Sequence, residues 1–281
     1  MKIWLITGAS RGLGAEITRA ALDKGDAVVA TARSPRDITA RFGEHERLFP
    51  VALDVADERQ AQTAIQAAIE RFGHIDVLVN NAGFGVLGAA EETSDAETRA
   101  VFDTNVFGVL RVLRAALPHF RARRSGHIIN ISSIGGFSGA AGYAVYAATK
   151  FALEGLSESL ADEVAPLGIR VTIVEPGYFR TDFLSGGSLR PTAQQIADYA
   201  DTVGKVRVMS SERNGRQPGD PALAAQAVVT IAHAEQPPLR LPLGLDAIAR
   251  NRQKLADVAR EMDVWQALGE STWFPEDRPA S

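Results

Sequence analysis

The 281-residue sequence contains no cysteine. That excludes disulfides, thiolate nucleophiles and cysteine-ligated zinc within it; it fits a reducing, cytoplasmic setting, and no metal is expected. Long hydrophobic runs are missing too. No stretch approaches the roughly 20 apolar residues that a bilayer-spanning helix needs, so no membrane partner is expected. The opening Met-Lys-Ile-Trp-Leu-Ile-Thr is far shorter in apolar length than the core of a signal peptide and leads straight into Gly8, which reads as a first buried strand. Neither sign of charge dominates. A net charge of -4 gives no general attraction to nucleic acid or to an anionic surface. The local cluster Arg121, Arg123 and Arg124 suits a helix C-terminus. Internal repeats, low-complexity tracts and evident linkers are absent.

What is present is a 46% hydrophobic composition over a length that fits one α/β domain. Short β-branched runs alternate with alanine-rich stretches, the pattern of repeated βαβ units. Strands are predicted at Ile3–Thr7, Ala27–Thr31, Leu48–Leu53, Val77–Asn80, His127–Ser132, Arg170–Glu175 and Leu239–Leu241. Their near-continuous apolar character fits about seven parallel strands covered by helices on both faces. Helices are predicted near Leu13–Lys24, Glu58–Phe72, Asp95–Arg121 and Tyr143–Val164, with Asp57 and Ser94 as N-caps and Pro118 bending or ending the third. Glycine, serine and proline interrupt the alternation from Gly177 to about Pro221, with a short helical piece near Ala193–Ala200. Such an insertion after a strand's C-terminal end reads as a substrate lid. Residues 245–268 read as a helix packed on the sheet or on a partner subunit.

Gly8, Gly12 and Gly14 lie between the first strand and the first helix. Glycine permits the tight turn and close backbone approach, while the helix N-terminus offers N–H groups to a pyrophosphate. Asp26 lies eighteen residues after Gly8 but precedes the second strand, the wrong end for a ribose ligand. At the correct end stand Thr31, Ala32 and Arg33, with no carboxylate. Arg33 and Arg11 either converge on a 2′-phosphate, which a guanidinium suits, or solvate their loops. The expectation is NADP(H) in preference to NAD(H). Asp54, after the third strand, and Asn80–Gly83, after the fourth, occupy further strand ends on the same side; Asn80 and Asn81 also suit turn stabilisation.

Tyr146 and Lys150 stand four residues apart, so a helix stacks them on one face. A phenol ionises near ~10 and a neighbouring ammonium favours its phenolate; the pair fits proton exchange with an alcohol or carbonyl oxygen. Tyr143 is the rival phenol, but Ala147 occupies the place where its lysine would stand. Phe84, Tyr143, Tyr178, Phe179, Phe183 and Leu184 cluster by sequence around the expected mouth, which suits a lipophilic substrate.

Thr-Gly-Ala-Ser-Arg-Gly-Leu-Gly at 7–14, Asn-Asn-Ala-Gly at 80–83, Asn105, Ser133 and Tyr146-x-x-x-Lys150 together resemble the classical short-chain dehydrogenase/reductase family over about residues 1–185. Thr-Ala-Arg at 31–33 and the C-terminal helix are similar to its hydroxysteroid and retinol dehydrogenase-like branch. The resemblance implies a single Rossmann-type, doubly wound domain, carbonyl/alcohol redox chemistry, and a homodimer or homotetramer. It implies Tyr146 as general acid/base, Lys150 on the nicotinamide ribose and lowering the phenol's pKa, Ser133 rather than Ser132 on the substrate oxygen, and Asn105 in a proton relay. The implied cofactor-binding set is Gly8, Ser10, Arg11, Gly12, Leu13, Gly14, Arg33, Asp54, Val55, Asn81, Ala82, Gly83, Tyr146, Lys150, Pro176, Gly177 and Thr181; Thr181 also suits a local cap. Two other functions remain open: a non-catalytic dinucleotide sensor or scaffold, and epimerase or dehydratase chemistry on the same Tyr-x-x-x-Lys.

Overall fold

The computed structural model describes residues 1–274. It runs β1 (Ile3–Ile6), α1 (Gly12–Asp23), β2 (Ala27–Ala32), α2 (Pro35–Phe42), β3 (Leu48–Ala52), α3 (Glu58–Phe72), β4 (Val77–Asn80), β5 (Gly85–Leu87), α4 (Asp95–Phe102), α5 (Gly108–Arg123) and β6 (Gly126–Ile131). It continues α6 (Ile134–Phe137), α7 (Ala144–Val164), β7 (Ile169–Pro176), β8 (Leu189–Pro191), α8 (Lys205–Arg213), α9 (Pro221–His233), β9 (Arg240–Leu243) and α10 (Leu245–Glu270). Seven parallel strands form one sheet in the order β3-β2-β1-β4-β6-β7-β9. The direction of winding reverses between β1 and β4, and a crevice opens at the strand C-termini there.

Alternation along each strand builds the two cores. Trp4 and Ile6 face a layer with Ile17 and Ala21 of α1 and Val228 and Val229 of α9. Leu5 faces the opposite layer, with Ala64 of α3, Leu113 of α5 and Leu153 of α7. Helices therefore cover both faces, which is why the strands are apolar on successive residues. Among the described residues no helix is long and apolar enough to cross a membrane.

Several elements differ from expectation. No helix is predicted over α9, although Asp220 caps it by accepting from Ala222 N and Pro221 opens it, an N-terminal signal that the sequence does carry. α2 also opens on a proline, Pro35, but Ser34 before it makes no capping hydrogen bond through its side chain. The helix expected over Asp95–Arg121 is interrupted by a π-helical segment, Asp103–Phe107, and Pro118 lies within α5, which continues to Arg123. The helical piece expected near 193–200 starts later, as Ala197–Gly204 in 3₁₀ and π form, and leads into α8. A second, two-stranded parallel sheet pairs β5 with β8. Three residues per strand, separated by a hundred positions, leave no periodic trace in sequence.

Candidate active site

At the crevice the chain leaves β1 through Gly8 and enters α1. Gly8 holds φ +67° and Gly12 φ +56°, left-handed backbone that L side chains adopt at a cost. Gly14 is needed for space: a Cβ there would strike Asn81 Nδ2 and the Gly8 carbonyl. α1 has no side-chain cap and no acidic residue in its first turn, so its N-terminal N–H groups and positive dipole end stay available to an anion. Asn81 fastens this loop, donating from Nδ2 to the carbonyls of Thr7 at 2.9 Å and Gly8 at 3.1 Å. Thr7 Oγ1 accepts from the backbone of Asn81 and Ala82. Asn80 turns inward instead, to Asn130 at 2.8 Å.

Gly8, Arg11, Arg33, Asp54, Gly83, Ser133, Tyr146, Lys150 and Thr181 line one cavity of about 540 Å³, within the range of small-molecule sites. Ser10, Gly12, Leu13, Val55, Asn81, Ala82, Pro176 and Gly177 line it as well. Gly14 and Asn105 do not: Gly14 acts through packing, and Asn105 stands one layer behind. Two short features fix Asn105. The π segment re-aims it, as such insertions commonly do near functional sites, and its amide exchanges hydrogen bonds with the Phe84 backbone (N–H 3.1 Å, carbonyl 2.8 Å). It also donates to Thr149 Oγ1 at 3.1 Å.

Tyr146 and Lys150 occupy one face of α7, with Lys150 Nζ 5.9 Å from the phenol ring centroid. Nζ donates to the Ile131 carbonyl at 2.8 Å. Burial pulls Lys150 down to about 8, against the pull of Glu154. Burial also pushes Tyr146 up to about 12; a hydrogen bond with Ser133 opposes this and Tyr143 adds to it. The expected lowering of the phenol by Lys150 is therefore not a property of the protein alone, because desolvation of the ring oxygen outweighs an ammonium that points at a carbonyl. The phenol keeps its proton near neutrality. Ser133 Oγ accepts from Gly135 N at 3.0 Å, which aims it across Gly135 toward Tyr146, while Ser132 lies on the side of Gly136 and Glu154. Tyr143, the rival phenol, bonds Ser210 of α8 at 2.9 Å.

Arg33 is exposed at the end of β2 and has no side-chain partner among the described residues. Arg11 reaches the Gly187 carbonyl at 3.2 Å. Asp26 is buried at the other end of β2, where it accepts from Lys2 N, Trp4 Nε1 and His233. Burial opposes its charge, but these hydrogen bonds outweigh that and hold its carboxyl below the usual range. Its work is structural.

Residues 177–220 border the open side. Thr181 Oγ1 accepts from Phe183 N at 3.3 Å. Gln217, a residue that sequence spacing gave no reason to select, is 1% exposed and lines the cavity. Its Nε2 donates to the Thr181 carbonyl at 3.3 Å, which fixes the orientation of the amide. That leaves Oε1 as a buried acceptor without a partner among the described residues.

Residues 2–188 match the short chain dehydrogenase family. An oxidoreductase of Botryotinia fuckeliana, BOA17, is 40% identical over 270 residues, covering 95% of this chain and 97% of its own. The crystal structure of a short-chain dehydrogenase from Streptomyces avermitilis superposes with a TM-score of 0.89 at 43% identity, over 97% of this chain and 100% of that one. ElxO, solved with NADP bound, superposes with a TM-score of 0.74 at 29% identity, over 88% and 99%. A 3-ketoacyl-(acyl-carrier-protein) reductase from Brucella melitensis, 27% identical, was solved with NADH. Ser133, Tyr146 and Lys150 share one cavity with Gly8 and Gly12 of the glycine cradle, and the chain belongs to the short-chain dehydrogenase family, a family of oxidoreductases.

Proposed function

We propose that the protein is a cytoplasmic, NADP(H)-dependent oxidoreductase that interconverts a lipophilic ketone or aldehyde with its alcohol. The observation that carries this is the convergence of a protonated Tyr146, Ser133 and Lys150 on the cavity that the α1 cradle opens into. When bound, the nicotinamide dinucleotide supplies or takes up hydride. Gly8, Gly12 and the first turn of α1 hold its phosphates, and Lys150 holds the adjoining ribose. Tyr146 gives its proton to the carbonyl oxygen in reduction and takes it back in oxidation. Ser133 orients that oxygen. Asn105, bound to the Phe84 backbone behind Gly83, would help hold a water in a proton relay through Lys150. Thr181 and Gln217 would hold the carboxamide, with the buried Gln217 Oε1 available to accept an N–H. The 177–220 segment is the lid, and Phe84, Tyr178, Phe179, Phe183 and Leu184 give the mouth its apolar character.

The NADP(H) preference rests on Arg33, an unpaired guanidinium at the strand end where NAD-selective sites place a carboxylate. A panel of ketones, aldehydes and alcohols followed by NADPH or NADH absorbance tests the reading. The expected result is turnover with NADPH at least tenfold more efficient than with NADH, and a loss of about 10–100-fold in NADPH efficiency for Arg33→Ala, the range of a charge-assisted hydrogen bond. Preference for NADH overturns the cofactor assignment. NADPH binding with no turnover across the panel makes the protein a sensor or scaffold.

A further inference from the structure

α10 begins against the body and then leaves it. Ala247 and Asn251 are buried, and Asn251 Nδ2 is anchored on the Glu175 carboxylate of β7. From 252 to 270 every residue is exposed except Asp257 and Val258, which are half-buried. That segment extends about 28 Å at ~1.5 Å per residue. Helices in proteins take most of their stability from packing an apolar face, and this segment has the pattern of one. Ile248, Leu255 and Met262 recur every seven residues, as do Asn251, Val258 and Trp265, offset by three. Such spacing makes a seam for a second helix. Along the seam Leu255, Met262 and Trp265 are 59%, 66% and 65% exposed.

The charges indicate which helix. Arg250 and Asp246, at the start of the helix, are engaged with the body, on Ser138 and Gly139 and on Tyr178 N; beyond them the proximal half carries the exposed cations Arg252 and Lys254, and the distal half carries Asp257, Glu261, Asp263 and Glu270 against Arg260 alone. Lys254 and Glu261 immediately precede Leu255 and Met262 and so flank the seam on the same side. A parallel copy would set cations on cations. An antiparallel copy sets the basic half of each helix on the acidic half of the other and brings Lys254 beside the partner's Glu261. This self-complementarity is the mark of a two-fold, isologous contact. The acidic distal half, where Trp265 and Leu268 lie, does not suit an anionic lipid surface.

We propose that α10 is a dimerisation arm: two copies of this chain pair antiparallel through the Leu255–Trp265 seam, with a two-fold axis near Val258. Sedimentation analysis of the full chain tests it. Wild type is expected at an even subunit number, with Arg252→Glu/Lys254→Glu halving the mass. Glu261→Lys/Asp263→Lys is expected to halve it as well, and all four reversals in one chain to restore it. Restoration separates broken pairing from broken folding, and cofactor binding serves as a second check on the fold. The lack of native cysteines adds an orientation test. A single cysteine in Val258→Cys cross-links two copies on oxidation, while one in Glu270→Cys does not, since an antiparallel pair sets the two tips far apart. A mass that charge reversal leaves unchanged, cross-linking at both positions, or a monomer that sediments with phosphatidylserine vesicles would each overturn the proposal.

Discussion

The floor of the cavity and its open side are built by different means. On the floor, strand pairing has already brought the parts together, and short groups finish the work: Asn81 on the Thr7 and Gly8 carbonyls, Lys150 on Ile131, Asn105 on Phe84. Around the 177–220 segment, a pairing of three residues per strand, β5 with β8, is supplemented by single side chains that reach across: Arg207 to Glu92, Tyr143 to Ser210, Gln217 to Thr181, Tyr199 to Glu91. The floor is pre-organised by the main sheet, and the other wall is tied by that short ladder and a few side-chain contacts. Positioned chemistry belongs on the first and adjustable closure on the second.

The largest effect expected from this division is at the floor. Tyr146→Phe removes one oxygen from a wall that otherwise keeps its packing, including the ring contact with Phe183 at 5.7 Å between centroids. Turnover should fall by about 10³-fold, the size of a lost general acid, while NADPH affinity, read by fluorescence titration, stays within about threefold. Comparable loss of affinity would mean that the phenol holds the cofactor rather than the reacting oxygen. Next in size is Gly14→Ala. The added Cβ meets Asn81 Nδ2 and the Gly8 carbonyl, two groups that cannot yield without opening the cradle. Overpacking of this kind costs about 1–3 kcal/mol, and NADPH should bind at least about tenfold more weakly. An unchanged affinity would show that the floor is softer than its hydrogen bonds imply.

The same division explains what could be read from sequence. Continuous apolar runs such as Ile3–Ile6 identify buried parallel strands, and strand ends then locate Gly8, Asp54, Asn81 and Pro176 on one edge without further information. Tyr146 and Lys150 follow from helical period alone. The π segment around Asn105 does not, because one inserted residue has no compositional signature; Asn105 entered through family resemblance. α9 is legible in Asp220–Pro221, a capping signal at the end of a glycine-rich loop. The β5–β8 sheet, the Glu92–Arg207 pair and Gln217 were not legible. Each depends on one contact between distant positions, with no periodicity on either side. Even at the floor, the ionisation of Tyr146 escaped the spacing argument, since spacing gives a neighbour's charge but not the depth of burial that opposes it.

The smallest effect tests the other wall. Glu92 is the point where the segment is held: its carboxylate accepts from Ala89 N at 2.7 Å and Ile196 N at 2.8 Å and pairs with Arg207. The Ile196 bond outweighs burial and, with Ala89 and Arg207, keeps its carboxyl below the usual range. A depressed carboxylate pKa stabilises the fold above the unfolded value, and that contribution is lost as pH falls through the folded value. Glu92→Gln keeps the shape and removes the charge. KM for the carbonyl substrate should rise about 3–10-fold, the scale of one lost hydrogen bond, with kcat within about twofold and NADPH affinity unchanged. The wild-type KM should rise by the same factor in acid, below the ordinary carboxylate range, and that of the variant should not. If Glu92→Gln instead lowers kcat as far as a floor substitution does, the two walls are one mechanical unit, and the distinction between pre-organised floor and adjustable lid fails.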